Sequence, residues 1–182
     1  MMPIGPLMIE HRLIEKVIDL LRRQARQAAA EERIDPVVIE EAVDFIRTYA
    51  DRTHHGKEED ILFRDLAEVE MSEEDGRVMQ ELVDEHVIAR RTVGELVEAN
   101  ERYRQGEPGA LATILEKLDA LVELYPGHIE KEDKVFFPAA MKYLDQEEQD
   151  AMLEEMWDFD RRMIHEKYQA AFEEMKDRIG QT

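Results

Sequence analysis

Six side chains that can bind metal ions occupy positions where a helical protein normally keeps apolar residues. They are four histidines and two glutamates: His11, His54, Glu58, His86, His128 and Glu132. Each falls on the apolar stripe of a predicted helix, in which apolar residues recur at intervals of three and four. Burying imidazoles and carboxylates together is costly unless a cation joins them. The pattern therefore predicts a buried metal site and favours a pair of metal ions.

The spacing of these residues places them at one level of a helical bundle. His54 precedes Glu58 by four residues, and His128 precedes Glu132 by the same interval. Residues four apart lie one turn above each other on the same face of an α-helix, so each pair can direct a nitrogen and a carboxylate to one point. The two remaining histidines lie at matching distances from the predicted turns, which puts all six groups in one layer if neighbouring helices are antiparallel.

The ligand types indicate which metals would bind. Four imidazoles and two carboxylates suit first-row transition metals better than calcium or magnesium, which prefer oxygen ligands. Six ligands are too many for one tetrahedral zinc ion, whereas two ions bridged by both carboxylates would use all of them. A bridging oxo or hydroxo group and open or water-filled positions would complete the coordination. Iron is the favoured metal, with manganese or zinc as alternatives.

Four further residues are candidates for additional ligands or for partners of the ligands. His55 is interpreted as a solvent-facing helix residue, with ligation of a labile second metal as the alternative. Glu15 and Glu85 either orient imidazoles through hydrogen bonds or are solvated helix charges or members of surface salt bridges, and the second interpretation is favoured. Tyr125 either donates a hydrogen bond to a bound anion or packs in the core. His165, alone on the last predicted helix, is interpreted as structural.

Helix start signals divide the chain into five helical segments. Asp35 before Pro36 and Ser72 are typical N-caps, and residues 106–109 form a predicted turn. Asp145 opens a capping box that starts the fifth segment. The apolar stripe of the fourth segment is predicted to continue through Val135.

Short connections between long helices favour antiparallel neighbours. We therefore predict an all-α fold: an up-down-up-down antiparallel four-helix bundle over about residues 5–144, with an additional C-terminal fifth helix covering it over about residues 146–178. No linker or second domain is recognised, so residues 1–182 are predicted to form a single metal-binding domain. An internal repeat supports the bundle, because residues 54–63 match residues 128–137. It predicts two halves related by a pseudo-twofold axis through the site.

Composition excludes several classes of function. The chain has 44 acidic and 24 basic residues, for a formal net charge of −20. That balance argues against binding to nucleic acid or to anionic membrane surfaces. Without cysteine, the chain cannot form disulfides, thiolate metal sites or cysteine nucleophiles. No apolar run approaches the length of a membrane span, and residues 1–6 do not resemble a signal peptide, so we expect a cytoplasmic protein.

The ordered pattern His…His-x-x-x-Glu…His…His-x-x-x-Glu resembles the hemerythrin-like, or HHE cation-binding, domain family. The intervals between the four histidines are also similar to those in the di-iron domain of repair-of-iron-centres proteins, and the resemblance covers about residues 5–170. It implies a non-haem di-iron centre held by the six residues named above, with both glutamates bridging. The chain departs from oxygen-carrying hemerythrins at Arg90, where they have a further histidine. Asp133 keeps the spacing of their aspartate but is predicted to lie off the apolar stripe.

The residues and the resemblance together favour a protein that binds or senses a small molecule: dioxygen, nitric oxide or peroxide. One alternative is a di-iron oxidoreductase that acts on peroxide or nitric oxide. Another is an iron storage or delivery protein, and a redox-silent zinc pair would be purely structural. Expected partners are the small ligand and a redox or iron-receiving protein.

Overall fold

The computed structural model describes residues 2–180, with side chains described through residue 164 and at Lys167. The side chain of His165, which we interpreted from the sequence as structural, lies outside this set. Residues 2–180 form five helices and no strand. These are α1 (Ile4–Glu31), α2 (36–66), α3 (Glu73–Arg104), α4 (110–140) and α5 (Gln146–Gly180). The all-helical prediction is confirmed, while the up-down-up-down antiparallel order stays a prediction.

Helix starts follow the capping chemistry predicted from the sequence. The Asp35 side chain accepts a hydrogen bond from the backbone N–H of Val37 at 2.9 Å, and Ser72 caps α3 in the same way. Asp145 accepts from the N–H of Glu148, whose side chain accepts in return from the N–H of Asp145 at 2.7 Å. This reciprocal pair is the predicted capping box.

Two of the five helices contain π-helical turns, and four of the six predicted metal ligands lie in or beside them: His54, Glu58, His128 and Glu132. In α2 the α-helical start Pro36–Phe45 is followed by π-helical segments Ile46–His55 and Glu58–Phe63. In α4 the segment Glu132–Phe136 is π-helical. A π-helix bonds residue i to i+5 and is rare outside functional sites. Each wider turn uses an extra residue, so the residues that follow face a different direction than on an α-helix.

The predicted apolar stripe of α4 is wrong after Glu132 for this reason. Val135, expected in the core, is 52% exposed, whereas Phe136 and Phe137 are buried. The π-helical turn that begins at Glu132 moves the buried face forward by one residue. It keeps Glu132 itself inside while directing two aromatic rings beneath it.

Two apolar clusters enclose the layer that carries the predicted ligands. The first cluster includes Ile14, Ala50, Val93 and Ile129. The second includes Leu7, Ile61, Leu82 and Phe136. On each of α1 to α4 the predicted ligands lie in sequence between a residue of one cluster and a residue of the other. Apolar packing above and below the polar layer therefore limits the access of water to it.

Helix α5 packs on the second cluster. Met152, Met156 and Phe159 are buried there, whereas Trp157 is 45% exposed. Phe159 approaches the backbone of α2 so closely that a Cβ atom added to Gly56 would lie 2.8 Å from its Cζ atom. Among the described residues, none of the helices combines the length and apolar character needed to cross a membrane.

The close approach at Gly56 predicts opposite effects of alanine at two helical glycines. A Cβ added at Gly94 meets nothing within 4 Å, so we expect Gly94→Ala to raise the free energy of unfolding by up to about 1 kcal/mol through helix propensity. We expect Gly56→Ala to lower it, because Phe159 must move out of its packed position. Urea unfolding followed by circular dichroism measures both. Equal stabilisation by the two substitutions would show that α5 does not pack against Gly56.

Candidate metal centre

The predicted ligands meet in one buried layer, and none of the six is more than 4% exposed. With the neighbouring His55, their metal-binding atoms form two groups that share Glu58, and the atoms of each group lie within 4.8 Å of one another. We name these groups site A and site B. Site A consists of His11, His54, Glu58 and Glu132. Site B consists of His55, Glu58, His86 and His128.

In each site two histidine rings direct the same ring nitrogen at each other. Nε2 of His11 lies 2.9 Å from Nε2 of His54 in site A. In site B, Nε2 of His86 lies 3.2 Å from Nε2 of His128. Nitrogen atoms this close either share a proton or direct their lone pairs toward a common cation. The partner of the other ring nitrogen, Nδ1, distinguishes these cases.

The Nδ1 atom of each of these four rings donates a hydrogen bond to a carboxylate. The pairs are His11 to Asp133 at 2.7 Å, His54 to Glu10 at 2.9 Å, His86 to Glu59 at 2.6 Å and His128 to Glu85 at 2.8 Å. A neutral imidazole has one donor and one acceptor nitrogen. Because Nδ1 donates, Nε2 of each neutral ring carries a lone pair, and four lone pairs converge on the two sites. Carboxylates orient metal-binding histidines in this way in other proteins.

Glu58 and Glu132 lie between the two sites, and each directs one carboxylate oxygen toward each site. Glu58 places Oε1 3.6 Å from Nε2 of His54 and Oε2 3.4 Å from Nε2 of His86. Glu132 places its two oxygens 3.1 and 3.2 Å from Nε2 of the other histidine of each site. When the rings are neutral, those nitrogens carry lone pairs and these are contacts between acceptors. The four oxygens are buried, and none has a hydrogen-bond partner within the described part of the chain.

Electrostatics in the layer are unfavourable without a cation. Burial raises the pKa of Glu58 well above its ordinary value, and the charge of Glu132 adds to the shift. Without a cation, His128 takes up a proton beside Glu132: burial lowers the pKa of His128, but Glu132 and Glu85 raise it to about 9. Burial also raises the pKa of Glu132, but His128 outweighs this and holds it well below the ordinary value. Burial lowers the pKa of His54, which favours the neutral ring that a metal requires. Two cations would neutralise the carboxylates and accept the lone pairs, so this donor set fits a pair of transition-metal ions.

Comparison with protein families agrees with this geometry. The model of the hemerythrin HHE cation-binding domain matches residues 2–140 and also residues 78–179. The chain belongs to the hemerythrin HHE cation-binding domain family. No curated protein and no solved structure matches the chain significantly. The similarity to repair-of-iron-centres proteins therefore stays a prediction, whereas the family resemblance seen in the sequence is confirmed.

The two halves of the HHE domain surround the ligands in corresponding ways, as the internal repeat predicts. In one half the buried Lys57 forms an ion pair with Glu10, the partner of His54. In the other half Lys131 forms an ion pair with Glu85, the partner of His128, at 2.6 Å. Each of these carboxylates thus holds an imidazole on one side and an ammonium group on the other. Burial raises the pKa of Glu10 and Lys57 offsets this in part, whereas the hydrogen bonds from His128 and Lys131 hold the pKa of Glu85 below its ordinary value against the effect of burial. Both ammonium groups hold the carboxylates in place, which fixes the orientation of the rings.

The remaining two carboxylates are held by arginines. Arg90 donates to Glu59 at 2.8 Å, and Arg12 donates to Asp133. Asp133 lies off the ligand stripe, as predicted from the sequence. It also has a role that was not predicted, because it accepts the hydrogen bond that orients His11. Arg90, which stands where oxygen-carrying hemerythrins have a histidine, orients Glu59.

Four of these residues were not predicted from the sequence to support the ligand histidines: Glu10, Glu59, Asp133 and Lys57. One signal was available, because each carboxylate directly precedes or follows a predicted ligand in the chain. Lys57 also had a signal, because it lies three residues after His54 and four before Ile61, on the same helical face as the predicted ligands. In the HHE domain it is fully buried, and its Nζ lies 2.7 Å from Oδ1 of Asp160 on α5. Lys57 therefore connects the carboxylate behind His54 to the C-terminal helix.

His55 does not face solvent, so the interpretation favoured from the sequence is wrong. Its ring is 2% exposed and stacks on the ring of His86 with centroids 3.7 Å apart. Two adjacent residues point inward at this level of both halves of the repeat: His54 and His55 on α2, and His128 and Ile129 on α4. The residue at the matching position of the repeat is the buried Ile129. Site B thus has a third histidine that site A lacks.

The other three additional candidates, Glu85, Glu15 and Tyr125, differ in their contacts with the metal layer. Glu85 forms the salt bridge with Lys131 that the favoured interpretation allows, and it also accepts a hydrogen bond from His128, as the alternative interpretation expects. Glu15 is 42% exposed and pairs with Arg12, as the surface interpretation predicts. Tyr125 packs in the first apolar cluster and is 2% exposed, but its hydroxyl has no hydrogen-bond partner among the described residues.

Glu85 and Glu15 provide a matched test of the hydrogen bonds behind the ligands. We expect Glu85→Gln to weaken metal binding by about 10- to 100-fold, because the amide neither holds His128 as strongly nor pairs with Lys131. We expect Glu15→Gln to leave the affinity unchanged. Competition with a chromophoric chelator measures both constants. Equal affinities for the two variants would show that the carboxylate behind His128 does not support the site.

Proposed function

We propose that this HHE domain holds two iron ions in sites A and B and uses them to bind or sense a small molecule: dioxygen, nitric oxide or peroxide. The observation that carries the proposal is that four Nε2 atoms and four buried carboxylate oxygens lie together in one layer. Those oxygens have no hydrogen-bond donor in the described chain. Glu58 and Glu132 would bridge the ions, together with an oxo or hydroxo group. Manganese or zinc could occupy the same ligands.

Bound transition-metal ions would supply Lewis acidity and, for iron or manganese, electron transfer. The chain itself supplies position and exclusion of water. The carboxylate–histidine pairs fix the rings, and the two apolar clusters close the layer above and below. Site A offers two histidines and two carboxylates, so a six-coordinate ion there would keep positions for non-protein ligands. We propose residues 1–182 as a single metal-binding domain whose first four helices form the up-down-up-down bundle.

An oxidoreductase that acts on peroxide or nitric oxide is the second candidate. The observation that favours it over chemistry on organic substrates is the size of the cavity beside His55, about 90 Å³, which admits only small molecules. Iron storage or delivery is disfavoured, because the ligands are almost completely buried and a delivery site must release its metal. A redox or iron-receiving protein partner and a cytoplasmic location stay predictions.

The proposal predicts the metal content directly. Protein reconstituted anaerobically with ferrous iron and then desalted should hold two iron ions per chain, one for each ligand group. Glu58→Gln should lower this content, because Glu58 belongs to both groups and the amide supplies one oxygen and no charge. Glu15→Gln is the control. Elemental analysis against protein concentration gives the ratio, and wild-type protein without transition metal would contradict the proposal.

Gas binding and catalysis predict different responses of the iron-loaded protein. For binding or sensing, the absorption spectrum should change once and stoichiometrically on addition of dioxygen, nitric oxide or peroxide. For the oxidoreductase, peroxide or nitric oxide should be consumed over many turnovers when a reductant is supplied. Stopped-flow absorption and an electrode for the small molecule measure these responses. An unchanged spectrum with all three would contradict both candidates and leave a structural metal pair.

A further inference from the structure

A small cavity lies on the outer side of His55, away from site A. It measures about 90 Å³, which corresponds to the liquid volume of about three water molecules. Its polar lining consists of Arg47, Asp51, His55, Arg90 and Tyr125, and apolar side chains complete it. A larger organic substrate would not fit, whereas an anion of three or four atoms such as nitrite or formate would.

The Tyr125 hydroxyl is the strongest indication of a ligand. Tyr125 is 2% exposed and lines the cavity, yet no described residue accepts a hydrogen bond from its hydroxyl. A buried hydroxyl without a partner destabilises the protein. Burial raises the pKa of Tyr125, so the group is a proton-bearing donor. A hydrogen-bond acceptor in the cavity would give this donor the partner that the chain does not provide.

The charges around the cavity favour an anion. Two guanidinium groups, of Arg47 and Arg90, line it together with one carboxylate, Asp51. Asp51 accepts from Nε of Arg90 at 2.7 Å, and Arg90 also donates to Glu59. Arg47 is exposed at the cavity and no ion pair of its side chain is recorded with a described residue. The lining therefore carries a cationic group in excess of the Arg90–Asp51 pair.

His55 joins the cavity to site B. Its ring lies between those of Tyr125 and His86, nearly parallel to both, with centroid distances of 6.4 and 3.7 Å. Its Nδ1 faces Asp51 at 3.4 Å. In the other half of the repeat the buried Ile129 takes the place of His55. Among the described residues, the contact between this cavity and the metal layer through a histidine ring is thus made at site B.

We propose that this cavity binds a small monovalent anion beside site B, with the Tyr125 hydroxyl as hydrogen-bond donor and Arg47 as counter-charge. The inference rests on the proposed function and deepens it, because it assigns the small molecule a charge and a place. Anions such as nitrite or hydroperoxide fit this cavity, and the neutral gases would not use its charges.

Zinc-loaded protein tests this without redox chemistry. Sodium formate is titrated into wild type, Tyr125→Phe, Arg47→Glu and Tyr49→Phe by calorimetry, and zinc is counted in each sample. We expect wild type to bind formate and Tyr125→Phe to bind about tenfold more weakly, because it loses one hydrogen bond to a charged ligand. Arg47→Glu should weaken binding through charge reversal. Tyr49→Phe, which removes a hydroxyl outside the cavity, should match wild type, and benzoate should not bind because it is too large.

The outcomes separate this inference from the proposed function. Wild-type protein that holds two zinc ions but does not bind formate would overturn the inference and leave the metal centre intact. The same holds if Tyr125→Phe and wild type bind formate equally, or if benzoate binds as well as formate. Wild-type protein that does not retain zinc would instead contradict the proposed function, and the inference with it.

Discussion

The structure depends on the attraction between cations and a layer of buried groups that cannot stabilise one another. Nε2 lone pairs face each other at 2.9 and 3.2 Å, and Glu58 and Glu132 are buried among them without hydrogen-bond donors in the described chain. In water these groups would be solvated. Between two apolar clusters they are not, and the interior of a protein makes unpaired polar groups costly. The layer therefore makes physical sense as a set of metal ligands, and the apolar packing around it keeps the ligand atoms at fixed distances.

The carboxylates behind the histidines turn this layer into an ordered site. Each donating Nδ1 fixes the tautomer of its ring, and each acceptor carboxylate is itself held by a lysine or an arginine. Through Lys57 and Asp160 this network reaches α5, so the C-terminal helix contributes to the orientation of His54 although it provides no predicted ligand. The network repeats in the two halves of the chain, as Lys57–Glu10 and Lys131–Glu85 show. His55 breaks the repeat, and this break distinguishes site B from site A.

Sequence periodicity was sufficient to predict that the six candidate ligands are buried, because each lies at steps of three or four residues from apolar residues that are also buried. It failed where the helix geometry changes. The π-helical turn at Glu132 moved Val135 to the surface, and no rule based on 3.6 residues per turn can show this. His55 was missed for another reason, because the buried face at the level of the ligands is wide enough for two adjacent residues. Partners across helices were also missed, since the pairing of His54 with Glu10 or of His86 with Glu59 depends on how neighbouring helices pack. Family membership was predictable because it rests on the order and spacing of the ligands, which π-helical turns leave unchanged.

The central claim is that sites A and B hold two metal ions close together. X-ray absorption at the iron edge of the reconstituted protein measures this most directly, because the fine structure reports both the ligand type and the nearest metal. We predict multiple scattering from histidine rings and an iron–iron distance within about 4 Å, as in other carboxylate-bridged pairs. Iron with histidine ligands but without a neighbouring iron, or iron surrounded by oxygen alone, would contradict the account.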